Sequence, residues 1–131
     1  MKMTAEQLRD GLTNFYGSES FHKFSVLFPK HILTDGAKFL ADNAGAYWLM
    51  DAIASHHGKC IKDEMLRDMQ FWTLKTDVEK HTAVLTCDRD TNDTAIKQVI
   101  EHTDFPLPEI KLYCAPSGDG KHYTILLDSE Y

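Results

Sequence analysis

The chain has 131 residues, 43% of them hydrophobic and 26% charged, which is the make-up of one ordinary globular domain able to bury a core. Its formal net charge is −6, so the basic footprint of a nucleic-acid binder is missing. The acids are scattered rather than blocked, which argues against an acidic mimic of DNA.

The first predicted element is a helix in TAEQLRDGL. Thr4 and Gln7 form a capping-box pattern, and Leu8 with Leu12 supplies an i,i+4 apolar pair. Residues 14–33, NFYGSESFHKFSVLFPKHIL, read as a long connection. Phe15, Tyr16, Phe21, Phe24 and Phe28 are its packing anchors, because a connection of that length is either ordered by anchors or functional. TDGAKFLADN then gives a short helix capped by Thr34 or Asp35. NAGAYWLMDAIASHHGK gives another, with Asn43 as cap and Gly58 as stop, and residues 61–69, IKDEMLRDM, add a further turn or two.

From Gln70 the period becomes that of strands. QFWTLKT, TAVLTCDR, AIKQVIEH, EIKLYC and YTILLD place strands near 70–76, 82–88, 95–102, 109–114 and 122–128, with Val84, Ile110, Leu112 and Ile125 turned inward. DVEK and DTND are the turns between the first three, and SGDG is a hairpin signal. DFPLP, with two prolines, is a crossover or bend. Helices followed by strands predict a single α+β domain over 1–131, with the N-terminal helices packed on one face of an antiparallel sheet of about five strands.

One position in the apolar helix stands out. At 100° per residue Ala46, Leu49, Met50 and Ile53 share the core stripe, and Asp51 lies roughly opposite, beside Tyr47, Trp48 and Ser55. The plain expectation is that Asp51 accepts a hydrogen bond from Tyr47, Ser55 or a loop amide and so pins residues 14–33. The sharper alternative is that it acts on a substrate. SHHGKC places His56, His57 and Cys60 at spacings that can share a metal. Gly58 interrupts that interval, and His22, His31, His81, His102 and Cys87 form no motif with it, so no metal and no cofactor are expected. TCDRDTND gathers acids around Arg89 and reads as a charged turn. None of the familiar nucleotide-binding, nucleophile-elbow, zinc-protease or kinase patterns occurs.

Cys60, Cys87 and Cys114 are odd in number and lie in no CxxC pair, as free buried thiols of a reducing cytoplasm do. MKMTAEQLRDGL has no signal-peptide core and no apolar run is long enough to span a bilayer, so a cytoplasmic location without a membrane role is expected.

Taken in order, TDGAKFLADNAGAYWLMDAIAS, FWTLK, AVLTCDRD, TDFPLPEIKLY and ILLDSEY resemble a family of small uncharacterised proteins, a domain of unknown function found in bacteria and on phages, plasmids and other mobile elements. The likeness runs from about Leu12 to Tyr131; HKFSVLFPKHIL departs from the shorter, Trp- and Tyr-containing form of that segment. The resemblance implies an accessory protein of mobile-element type acting on a protein partner, a class that includes inhibitors of host defence systems such as CRISPR. It transfers no catalytic residue. Tyr47, Trp48, Asp51 and Ser55, with Phe21 and Phe24 of the aromatic connection, are the expected binding surface, since aromatics bordered by polar groups make hot spots. The rival expectation is a small hydrolase with Asp51 as general base and His56 or His57 nearby.

Overall fold

The computed structural model describes residues 3–17 and 20–131. Helix α1, Ala5–Leu12, starts on a reciprocal capping box: Gln7 N donates to Thr4 Oγ1 at 3.2 Å, and Thr4 N donates to Gln7 Oε1 at 3.1 Å. Leu8 is fully buried and Leu12 packs against the core.

The segment read as a bare connection contains two short strands, β1 (Phe21–Lys23) and β2 (His31–Thr34). They add a second block to the sheet. Strands β3 (Gln70–Asp77), β4 (Thr82–Asp90), β5 (Asp93–Ile100), β6 (Glu109–Pro116) and β7 (Tyr123–Leu127) complete seven strands in the order β1-β2-β7-β6-β3-β4-β5. β2 runs parallel to β7, and the other neighbours pair antiparallel. The sheet is therefore mixed and seven-stranded, where about five antiparallel strands were expected. Three or four residues cannot display a period of two, and the parallel partner of His31 is Tyr123, a contact no local pattern announces.

Helix α2, Asp35–Ala44, begins at Thr34, whose hydroxyl accepts from Ala37 N at 3.2 Å. It ends at Gly45, which takes the left-handed conformation (φ 61°) that a side chain would resist. Asn43 thus lies in the last turn of α2, donating to Phe39 O at 2.9 Å, and does not cap the next helix. Helix α3, Tyr47–Ser55, follows Ala46 without a side-chain cap. Gly58 does not stop the chain; it sits within a single further turn, α4 (His57–Cys60). Residues 61–69 form turns instead of continuous helix, held where the Asp63 carboxylate accepts from Met65 N at 3.0 Å and Leu66 N at 3.1 Å.

Alternation along the strands decides which face the helices cover. Gln70, Trp72 and Leu74 are buried on β3, and Ala83, Leu85 and Cys87 on β4. Val84 therefore lies on the opposite face and is only half-buried, contrary to expectation: TAVLTCDR is apolar at both parities for three residues, which leaves the phase undecided. Ile110 faces the same way as buried Leu112 but sits near the strand end and is half-buried, while Ile125 is fully buried. DFPLP is a bend that buries Phe105 and Leu107, and Pro108 O accepts from Thr76 N at 2.8 Å. The helices α1–α4 form one layer and the sheet the other, so none of these helices covers the second sheet face, which the C-terminal Tyr131 borders at Tyr113. Among the described residues no helix is long and apolar enough to cross a membrane.

Candidate binding surfaces

The far face of α3 is organised differently from the expectation. Asp51 is exposed and, among the described residues, makes no side-chain hydrogen bond. Ser55 Oγ donates to Ala52 O at 2.6 Å, and the Tyr47 hydroxyl donates to Asp42, which also receives Lys38 Nζ at 2.7 Å. The Lys38 and Tyr47 bonds hold the Asp42 carboxyl below its usual range. Partial burial, then the bond to Asp42, pushes the Tyr47 hydroxyl up to about 12. The left-handed turn at Gly45 carries the end of α2 back beside α3, so Asp42, five residues before Tyr47, wins the hydroxyl that helical spacing within α3 would offer Asp51. Trp48 is half-buried against the core and Tyr47 is 37% exposed, so much of this aromatic pair is used in packing.

The histidines that might have joined Asp51 are engaged elsewhere. His56 Nε2 is 2.8 Å from Gln98 Oε1, with its ring 5.6 Å from Trp72. His57 packs on His31 at 4.9 Å and on Tyr123 at 4.6 Å, and its buried Nδ1 has no hydrogen-bond partner among the described residues. Burial lowers both pKa values, that of His31 to about 4, with the neighbouring His57 as a second cause. Cys60, Cys87 and Cys114 are buried free thiols; hydrogen bonding between the Cys60 and Cys87 thiols lowers the pKa of Cys60 and, with burial, raises that of Cys87. Among the described residues no three His, Cys, Asp or Glu side chains are placed to hold a metal.

Residues 24–29 make the most exposed apolar feature. Phe24 packs against the core and Phe28 is half-buried, while Val26 is 96% and Leu27 79% exposed. Leu27 N donates to Ser25 Oγ at 3.1 Å, which shapes the tip, and an adjoining hollow of about 470 Å³ is lined by Lys23, Phe24, Ser25, Val26 and Pro29. No Asp or Glu lies between Glu19 and Asp35, so Lys23 and Lys30 flank the apolar tip unopposed in sequence. Of the expected anchors, Phe15 does pack, at 5.1 Å from Phe39, but Tyr16 is largely exposed and Phe21 is 56% exposed.

The uncovered sheet face carries a row of aromatics. Phe71 and Tyr113 meet edge to face at 5.1 Å, and Tyr113 meets Tyr131 at 5.5 Å. A shallow depression of about 280 Å³ lies over Phe71 and Tyr113, with Asp88, Asp90 and Lys111 at its margin. A second, of about 360 Å³, adjoins it over Thr73, Lys75, Thr86 and Glu109.

Two further polar clusters explain motifs whose role the sequence concealed. Glu130 accepts from Thr34 Oγ1 at 2.6 Å and Leu127 N at 2.9 Å through one oxygen, and from Gly36 N at 3.1 Å through the other. TDG and DSEY, nearly a hundred residues apart, are thus two halves of one clamp. A Cβ on Gly36 would stand 2.5 Å from Glu130 Oε1 and 2.7 Å from Leu127 Cδ1, so any side chain there would push the carboxylate out of the clamp. The charged turn around Arg89 also reaches further than expected: Arg89 bonds Asp63 at 2.6 Å and Asp93 at 3.0 Å, tying residues 61–69 to the β4–β5 hairpin and holding the Asp63 carboxyl low.

Fold and surfaces together define a two-layer α+β domain whose sheet is open on one side and whose β1–β2 loop projects an apolar tip. The chain belongs to a family of unknown function (DUF6876), whose family model matches residues 6–131. No curated protein and no solved structure matches it.

Proposed function

We propose that the chain is a non-enzymatic binding protein that docks on another protein through the β1–β2 loop, with Val26 and Leu27 as the leading contacts and Phe21 and Phe24 beside them. The observation that carries this reading is the near-complete exposure of two aliphatic side chains between Lys23 and Lys30. Leaving such side chains in water contributes nothing to folding, whereas burial in a partner's groove is worth about 1.5–3 kcal/mol each. Tyr47, Trp48, Asp51 and Ser55 offer a smaller polar patch, a secondary contact in this reading. The resemblance to mobile-element proteins makes an accessory role natural, with inhibition of a host defence system such as CRISPR as one form of it. Hydrolysis by Asp51 with His56 or His57 finds less support, because both rings are held against other side chains.

Affinity capture from cells that express the chain tests the reading when wild type is compared with Leu27→Asp and Asp51→Ala. A partner retained by wild type and by Asp51→Ala but lost by Leu27→Asp supports docking through the loop. Equal capture by all three overturns it.

A further inference from the structure

We infer that the uncovered sheet face is a self-association surface on which a second copy of this chain packs, sheet against sheet. This goes beyond the loop-docking reading and rests on different residues. Seven strands about 4.8 Å apart, averaging roughly 20 Å in length, give a footprint of roughly 700 Å². That is close to the about 800 Å² per partner of a standard stable interface.

The chemistry of the face fits the same occupant. Across the central strands Lys75, Lys97 and Lys111 stand against Asp77, Asp88, Asp90 and Glu109, so this face mixes both signs and carries little of the chain's net charge of −6. Two copies approaching by this face meet less like-charge repulsion than the net charge of the chain would impose. Each then presents both signs of charge for the other to answer. At the middle, Thr73 pairs with Thr86 across β3–β4, small side chains that let facing sheets come within the usual ~10 Å. The aromatic row of Phe71, Tyr113 and Tyr131 beside them supplies the apolar area a dimer core needs.

Light scattering on the eluting 131-residue chain, run over a concentration series, reads the outcome directly. Wild type is expected to approach twice the 15.0 kDa chain mass. Thr73→Lys, which sets a charge at the centre of the face, is expected to return it to a single chain while circular dichroism stays native. Lys111→Glu, at an exposed position unable to unfold the domain, is expected to weaken dimerisation at least tenfold and serves if Thr73→Lys fails to fold. Leu27→Asp is expected to remain dimeric. A wild type that stays monomeric at every concentration overturns the inference. So does a dimer indifferent to the face variants, which would point to pairing along the β5 edge, or a dimer lost on Leu27→Asp, which would point to the loop.

Discussion

Replacing Glu130 should be among the most damaging single changes outside the hydrophobic core. Its carboxylate receives three hydrogen bonds, two of them from the buried Thr34 hydroxyl and the Gly36 amide in the first turn of α2. A hydrogen bond to a charged group is worth about 1.5–3 kcal/mol, and negative charge at a helix N-terminus adds about 0.3–1 kcal/mol. Thr34 can still cap α2 and bond weakly to Ile125 O, so part of the loss is recovered. Glu130→Ala should therefore cost about 3 kcal/mol. Glu130→Gln should cost about 1.5–2 kcal/mol, since its amide nitrogen would turn a donor toward the Gly36 N–H. Gly36→Ala should cost about 2 kcal/mol by displacing the same carboxylate, and combining it with Glu130→Ala should be clearly less than additive. Urea unfolding followed by tryptophan fluorescence measures all four variants. A loss below about 0.5 kcal/mol for Glu130→Ala, the range of uninvolved surface changes, would refute the clamp.

Asp51→Ala and Asp51→Asn should each lie within about 0.5 kcal/mol of wild type in thermal unfolding, as exposed changes usually do. Tyr47→Phe, by contrast, should lose about 1 kcal/mol with its bond to Asp42. Stability should fall on acidification because His31 is neutral in the fold, with a pKa near 4 against 6.5 unfolded. The contribution is full above pH 6.5, declines between pH 6.5 and 4, and amounts to at most about 3 kcal/mol, with His57 acting in the same direction. Denaturant midpoints across that window check it, and His31→Phe should flatten the slope. Arg89→Ala should raise amide hydrogen exchange across residues 61–69 before it affects the sheet, since Arg89 anchors that segment through Asp63.

The elements that declared themselves in the sequence did so through local chemistry. The Thr4–Gln7 box, the Thr34 cap and the five strands after Gln70 each follow from residues within one turn or one strand. What stayed hidden depends on contacts distant in the chain. β1 and β2 are too short to show a period, and His31–Thr34 becomes a strand by pairing with β1 on one side and with the distant β7 on the other. Asp51 looked like an acceptor because helical geometry places Tyr47 and Ser55 beside it; Asp42 took the tyrosine because Gly45 redirects the chain. In residues 14–33 the aromatic pattern drew attention to Phe21 and Phe24, whereas Val26 and Leu27, aliphatic residues that composition alone assigns to a core, are exposed along with Tyr16 and Phe21. Phe71 and Tyr113 were legible as strand residues, while their uncovered face becomes apparent only when every helix is seen packed on the other side.

The β1–β2 loop is the proposed point of contact with a protein partner. A photo-crosslinking residue placed at position 27, and in a parallel chain at position 51, reads that contact inside the cell. An adduct of one defined mass at position 27, absent or weaker at position 51, is the predicted result. Adducts at position 51 alone, or none at position 27, would contradict it.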